Sequence, residues 1–382
     1  MHSSAGLFAL PLAAHQIDRR DADRRRQDWL DEVWSAPQTR VLRLKERSTP
    51  VSTDDAGSVA IRYSSPSEIA AQPPVGAVYL GEVQTNGTEL RSHVVAVPTP
   101  APDTQPEPAS QPSSTGQTSS TSQTSTADQT GSADQFSSAE RPEDWADFRM
   151  IGAALNPIDA ALFTQALAVT AWHSSAPFCA QCGHRTEVRH SGWMRLCPVC
   201  RTETFPRTDP AVITAVVDDQ GRILLGSAHR WEAQRFSTFA GFVEAGESLE
   251  EAVLREVAEE AGVRIRSVQY MGSQSWPFPR SLMLGYMAVA EDPRQACADD
   301  DEIREVRWFT REQLHREVAA EQLRIPPRSS VSRALIDHWY GGDVAQGEPG
   351  DPVQSAETAE PAETAAADTA EPLAAETSEE IR

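Results

Sequence analysis

Apolar and polar positions fall into three regimes along the chain. Over 205–340 the pattern is dense and regular. Ala211–Val217 is a continuous apolar run that predicts a buried strand, Asp218–Gly221 a turn, and Arg222–Leu225 the next strand. A helix is predicted over 248–261, with Leu249, Val253, Val257 and Ala261 on one face. Ser281–Val289 and Arg304–Phe309 read as further strands, and 311–323 and 330–340 as closing helices. Strands and helices that mix in this way predict an α/β unit.

The second regime covers 5–97 and resumes at 143–173. It reads as a mixed α+β N-terminal domain. A charged helix is expected over 16–34, with short strands at Arg40–Leu44, Val59–Tyr63, Ala77–Val83 and His93–Pro98. A helix is expected over 159–173, capped by Asp159, with Leu162, Leu167 and Trp172 on its apolar face. The third regime has almost no apolar side chains. Residues 98–142 hold one large one, Phe136, and 343–382 are rich in Pro, Ala, Glu and Thr. Neither stretch can recover its ordering entropy by burial, so both are expected to be disordered, one as an insert and one as an acidic tail.

Charge refines this picture. The 382 residues carry a net charge of −22, but 343–382 hold eleven acids and one arginine, so the remaining body is much less acidic. The balance excludes broad attraction to a nucleic-acid backbone or an anionic membrane, and leaves room for a local phosphate pocket. No run approaches the roughly 20 apolar residues of a membrane span; Leu7–Ala14 is short and broken by Pro11. A cytoplasmic protein without membrane contact is expected.

Two stretches carry chemistry. Cys179 and Cys182 form one C-x2-C pair, and Cys197 and Cys200 a second, inside a module at 174–204. Four soft thiolates in two tight turns suit one tetrahedral zinc ion, structural because no position stays open. Cys297 is a bystander in an acidic loop, and four thiols leave His184 and His190 unneeded. In GFVEAGESLEEAVLREVAEEAG, 241–262, Glu256, Glu259 and Glu260 stand at i, i+3 and i+4 and crowd one helical face. Their repulsion would be relieved by divalent cations with hard oxygen ligands. Glu247 can join them from the preceding loop, steered by Arg255. In MGSQSWPFPRSLMLGYMA, 271–288, Trp276 and Phe278 offer ring faces, Pro277 and Pro279 stiffen the chain, and Gln274, Ser273 and Ser281 can hydrogen-bond. This reads as a rigid loop that could hold a base or a sugar edge.

These residues resemble two family signatures. The first stretch is similar to the Nudix hydrolase signature, G-x5-E-x7-R-E-U-x-E-E-x-G-U, at Gly241, Glu247, Arg255, Glu256, Val257, Glu259, Glu260, Gly262 and Val263. The second resembles the SQPWPFPxS motif of the NADH pyrophosphatase (NudC-like) branch, with Ser275 in place of the first proline. That branch carries a four-cysteine zinc module just before its Nudix domain. The resemblance implies a Nudix α/β/α sandwich at 205–340, preceded by the zinc module and the N-terminal domain. It implies an enzyme that hydrolyses NADH or NAD+ to NMN(H) and AMP, with NAD-capped RNA as a further substrate. The alternatives are a pyrophosphatase for ADP-ribose or another nucleoside diphosphate, and a zinc-stabilised RNA-binding protein without activity.

The resemblance also implies site residues. Two to three Mg2+ or Mn2+ ions would be held by the Ala240 carbonyl and by Glu256, Glu259, Glu260 and Glu302, with Asp301 a near neighbour of the last. Glu256, Glu259 and Glu260 are the catalytic set; Glu259 either orients water and accepts its proton or serves as another ligand. Phe242 would stack on a base. Phe205 would supply the other ring face across a homodimer, in place of the family's tyrosine. Gln274, Ser275, Trp276, Pro277, Phe278, Pro279, Arg280, Ser281 and Ser332 complete the expected substrate contacts. Arg207 is either a partner for a carboxylate or phosphate, or a structural arginine.

Overall fold

The computed structural model describes residues 10, 12, 17–84, 90–99 and 144–346. The expected insert and tail lie outside these residues, except at 98–99 and 343–346. At 343–346 the chain is packed rather than loose. Val344 is buried, and Asp343 pairs with Arg328 and Arg333, so the ordered body extends beyond the expected boundary.

The pattern over 205–340 forms one six-stranded mixed sheet. The strand order is Ile265–Trp276, Ser281–Ala290, Asp209–Val217, Ile223–Ala228 and Ile303–Phe309, with Phe239–Phe242 also paired to Asp209–Val217. The central pair, Asp209–Val217 and Ser281–Ala290, is parallel and in register from Asp209↔Ser281 to Val217↔Val289. Central strands buried on both faces read as continuous apolar runs, which is why these two were visible in sequence. Side chains alternate between two layers. Ile213 and Ala215 pack with Leu335, Ile336 and Trp339 of helix Val331–Tyr340 and with Leu314 of helix Arg311–Ala319. Val212 and Val216 face the other way, toward Val253 and Val257 of helix Leu249–Ala261. The result is an α/β/α sandwich.

Two strands of this six-stranded sheet escaped the sequence reading. Phe239–Phe242 is too short for a period, and Ile265–Trp276 alternates weakly because most of its side chains are partly exposed. The second corrects the expected loop at 271–288: only 277–280 turn, and the residues through Trp276 are strand. The helix expected over 311–323 stops at Ala319.

In the N-terminal region the order Ile17–Asp18, Val78–Gln84, Arg91–Pro98, Arg40–Leu44 makes a four-stranded sheet. Ser48–Thr53, unassigned from sequence, pairs with both Val59–Ile61 and Trp145–Asp147. The charged helix expected over 16–34 is a two-residue strand followed by two short helices, Asp21–Arg24 and Trp29–Ser35. Helix Pro157–Ser175 starts earlier than expected. Asn156 is its cap, accepting from the Asp159 amide at 3.0 Å, while Asp159 accepts from the Tyr63 hydroxyl at 2.6 Å. Among the described residues no helix is long and apolar enough to cross a membrane.

Candidate functional site

The four thiols of Cys179, Cys182, Cys197 and Cys200 converge within 4.8 Å of one another. Each pair is followed by a residue in the left-handed region, Gly183 (φ 76°) and Arg201 (φ 63°), which turns the backbone so that both sulfurs face inward. A three-stranded unit, Glu187–Arg189, Met194–Leu196 and Glu203–Thr204, connects and follows the pairs. All four thiols are free of disulfides, and the donor set suits tetrahedral zinc. Trp193 docks this module on the N-terminal sheet: its ring nitrogen donates to the Tyr79 carbonyl at 2.7 Å. Cys297 lies apart and exposed.

The glutamate helix begins at a capping box. Ser248 accepts from the Glu251 amide, and the Glu251 carboxylate accepts from the Ser248 amide at 3.0 Å. It ends at Gly262, whose φ of 66° few other residues adopt. Between these stops, Arg255 organises the acids. It forks onto Glu247 at 2.8 and 3.0 Å, reaches Glu256 at 2.8 Å and Glu259 at 3.0 Å, and donates to the Phe242 carbonyl. The fork holds the Glu247 carboxyl below its ordinary range. Gly241 shows why a glycine stands at its position. A Cβ there would lie 1.9 Å from the Glu256 carboxylate, which occupies the space.

Glu260 is buried, 6% exposed, and accepts from the Ala240 amide at 3.2 Å. Burial pushes its carboxyl up to about 8; the Ala240 amide opposes this, and the charges of Glu302, Glu256 and Asp299 add to it. Burial also raises Glu256, with Arg255 opposing and Glu259 and Glu302 adding to the rise. These acids sense one another's charge. A divalent cation would relieve that repulsion, and their oxygens are the hard donors that Mg2+ or Mn2+ takes. Their oxygens are spread more widely than the thiols. Among the described residues, only the four cysteines bring three or more such ligand atoms within 4.8 Å.

A cleft of about 980 Å³ opens beside Glu260. Of the expected residues, Ala240, Glu260, Glu302, Trp276 and Ser332 line it. The others sit elsewhere. Glu259 is outward-facing, and Phe205 and Phe242 are each 57% exposed outside the cleft. Gln274 is buried, not free for a ligand: its amide nitrogen donates to the Ser329 carbonyl at 2.8 Å, and its oxygen accepts from the Leu12 amide at 3.0 Å. The side chain of Ser332 is likewise spent, on Ser237 and Thr238, and its amide donates to the Ser330 hydroxyl. Ser281 and Pro277 are buried. Arg280 is held by Asp209 at 2.9 Å, and Arg207 pairs with the same carboxylate. Phe278 packs against the N-terminal core, while Ser275 and Pro279 are exposed. Glu302 pairs with Arg230 at 3.2 Å.

The sequence reading missed the rest of the cleft, including Arg149, Met150, Trp231, Arg235 and Met283. They come from three separate segments and form no short motif; the arginines at 230 and 235 around Trp231 were the only local signal.

Comparison with known proteins places names beside this geometry. Residues 207–332 match the NUDIX domain model, and residues 174–205 match the NADH pyrophosphatase zinc ribbon domain. Over 206 residues the chain is 40% identical to a Mycobacterium tuberculosis protein named NAD-capped RNA hydrolase NudC, covering 52% of this chain and 66% of the relative. Over 193 residues it is 39% identical to human NAD-capped RNA hydrolase NUDT12, covering 47% and 42%. A NUDIX hydrolase structure from Nitrosomonas europaea aligns at 21% identity and a TM-score of 0.33, covering 45% of this chain and 96% of that one. The chain thus spans just under two thirds of the first of these relatives and less than half of the second.

Proposed function

We propose that this chain, which carries a Nudix domain behind an NADH pyrophosphatase zinc ribbon, is a divalent-metal-dependent diphosphatase that hydrolyses NADH or NAD+ to NMN(H) and AMP. The observation that carries the reading is the buried Glu260, raised to about 8 beside Glu302 and Glu256 at the wall of a nucleotide-sized cleft. Such a group is costly to ionise without a cation.

Glu256, Glu260 and Glu302, with the Ala240 carbonyl, would hold two to three Mg2+ or Mn2+ ions. Bound ions would supply Lewis-acid chemistry, neutralising the diphosphate oxygens and making water a stronger nucleophile at neutral pH. The chain's own groups do the rest. Arg255 holds Glu247, Glu256 and Glu259 in place, and Gly241 lets the strand approach the Glu256 carboxylate. Glu259, exposed at the outer edge, orients water or accepts its proton. Trp276 gives the cleft a flat apolar wall for a planar ring. Two exposed rings, Phe205 and Phe242, support a homodimer in which each base stacks between rings of two copies. Four zinc-ready thiols fit a reducing compartment, and the cytoplasm is our assignment.

The test is product analysis of NADH, NAD+ and ADP-ribose with Mg2+ or Mn2+. The parent should release AMP and NMNH from NADH. Glu256→Gln and Glu260→Gln should each lose about 100-fold or more in turnover. Turnover of ADP-ribose with none of NADH would replace this reading by the ADP-ribose one. The names of the relatives favour removal of NAD caps from RNA as a second activity. It would appear as 5′-monophosphate RNA released from an NAD-capped transcript.

A further inference from the structure

One rim of the cleft carries a group of arginines. Arg235 and Arg324 stand side by side on a parallel backbone bridge: the Phe236 amide donates to the Arg324 carbonyl at 2.9 Å, and the Arg324 amide to the Gln234 carbonyl at 2.8 Å. Both line the cleft, as does Arg230. Arg328 follows in the same segment, between Pro327 and Ser330, which line the cleft too.

Acids of the folded body answer this charge only in part. Arg324 pairs with Glu232 at 2.7 Å, and Arg230 with Glu302 at 3.2 Å. Among the described residues, Arg235 has the Trp231 ring at 5.0 Å and no carboxylate partner. The Arg324–Glu232 pair is exposed on both sides, so it contributes little and exchanges readily for another carboxylate.

The chain itself brings carboxylates to this rim. Asp343 pairs with Arg328 and Arg333, and accepts from the Ala345 amide at 3.0 Å. Val344 is buried, and its carbonyl accepts from the His315 ring at 2.8 Å. These contacts hold Asp343, three residues before Gln346, against Arg328. Arg324 is four residues from Arg328, at most about 14 Å of chain. The 36 residues of 347–382 continue from Gln346 and hold ten acids and one arginine. A chain of that length can span about 120 Å, so reach does not limit contact with Arg235.

We propose that the acidic segment 347–382 docks on the arginine rim at Arg235 and Arg324, continuing the contact that Asp343 makes with Arg328, and partly closes the cleft. This is an autoinhibitory contact within one chain. The charges are opposite, and the anchor at Asp343 keeps the segment at an effective concentration of about 1 mM. A segment that binds at about 0.1 mM when untethered would then raise the apparent KM about tenfold. Docking concerns the rim alone; its effect on turnover rests on the diphosphatase reading above.

The experiment compares the full-length parent with a full-length variant in which the ten acids of 347–382 are replaced by Asn or Gln, so that chain length is kept. A synthetic peptide of residues 347–382 is titrated calorimetrically into that variant. It should bind at about 0.1 mM in low salt and not at all in 1 M salt, where the Debye length falls to about 3 Å. Arg235→Glu in the same variant should weaken the peptide about tenfold or more. On NADH in low salt, the neutralised variant should show a KM about tenfold below the parent's, with kcat within about twofold and an unchanged melting temperature. In 1 M salt the two KM values should converge. No peptide binding, or binding that Arg235→Glu leaves intact, would overturn the proposal, as would equal KM values in low salt. An oligoribonucleotide that binds the rim where the peptide does not would also overturn it, and would give the rim to a nucleic acid. Peptide binding needs no turnover. A parent that cleaves no dinucleotide, while the peptide still binds through Arg235, would therefore sink the diphosphatase reading alone.

Discussion

Glu260 is one residue whose chemistry the chain pattern could only half announce. Its place at i+4 from Glu256 marked it as part of an acidic face; its burial, which sets its proton affinity, came from the packed strand opposite. The sign of the resulting pH dependence follows from that burial. A carboxyl raised to about 8 in the folded protein, against about 4.3 in an unfolded chain, binds its proton more tightly when folded. Its contribution to stability is complete below the unfolded value and is lost as pH rises through 8. The metal-free protein should therefore melt at falling temperature between about pH 4.5 and 8, and Glu260→Gln should flatten that slope, as read by calorimetry. Mn2+ added at pH 8 should restore the parent and not the variant. Gln274 teaches the converse. Its amide looked suited to a ligand, yet both ends are used to join Leu12 to Ser329, a pairing across the chain that local spacing cannot reveal.

At the scale of elements, the glutamate helix was legible almost to its ends. Ser248, Glu251 and Gly262 punctuate it, and Val253 and Val257 give it an apolar stripe, all within one local segment. What it packs against was not legible. Strand Phe239–Phe242 passes so close to the helix that the Gly241 Cα faces the Glu256 carboxylate directly. Gly241→Ala should force that carboxylate aside while leaving the strand's hydrogen bonds intact. Turnover of NADH should fall by about 100-fold, the scale expected when a reactive geometry shifts by an ångström. A melting temperature near the parent's would separate this from unfolding, and near-parent turnover would show that Glu256 has another position available.

Over the whole molecule, three parts meet through a few aromatic contacts. Trp193 carries the cysteine module onto the N-terminal sheet through the Tyr79 carbonyl, and Gly192 stands so near Val78 that a Cβ would lie 2.8 Å from it. Phe278 joins the six-stranded sheet to the N-terminal core. Zinc loss should therefore be felt beyond the ribbon. Removing it with a strong chelator should release one zinc per chain, lower the melting temperature, and reduce hydrogen-exchange protection over 78–83. Loss of protection confined to 179–204 would mean that the ribbon is independent of its neighbour.

The sequence by itself determined whatever is written in short spacing. The two cysteine pairs, the glutamate helix with its caps, and the buried central strands belong here, because ligand turns, 3.6-residue faces and apolar runs are local. Tertiary structure alone decided which polar side chains were consumed in packing and which faced the cleft. It also brought Arg149 to the cleft that Glu260 and Glu302 line, since these residues meet there only after the N-terminal region docks on the turn at 277–280. Contact between distant segments depends on three-dimensional packing, and no periodicity within either segment encodes it.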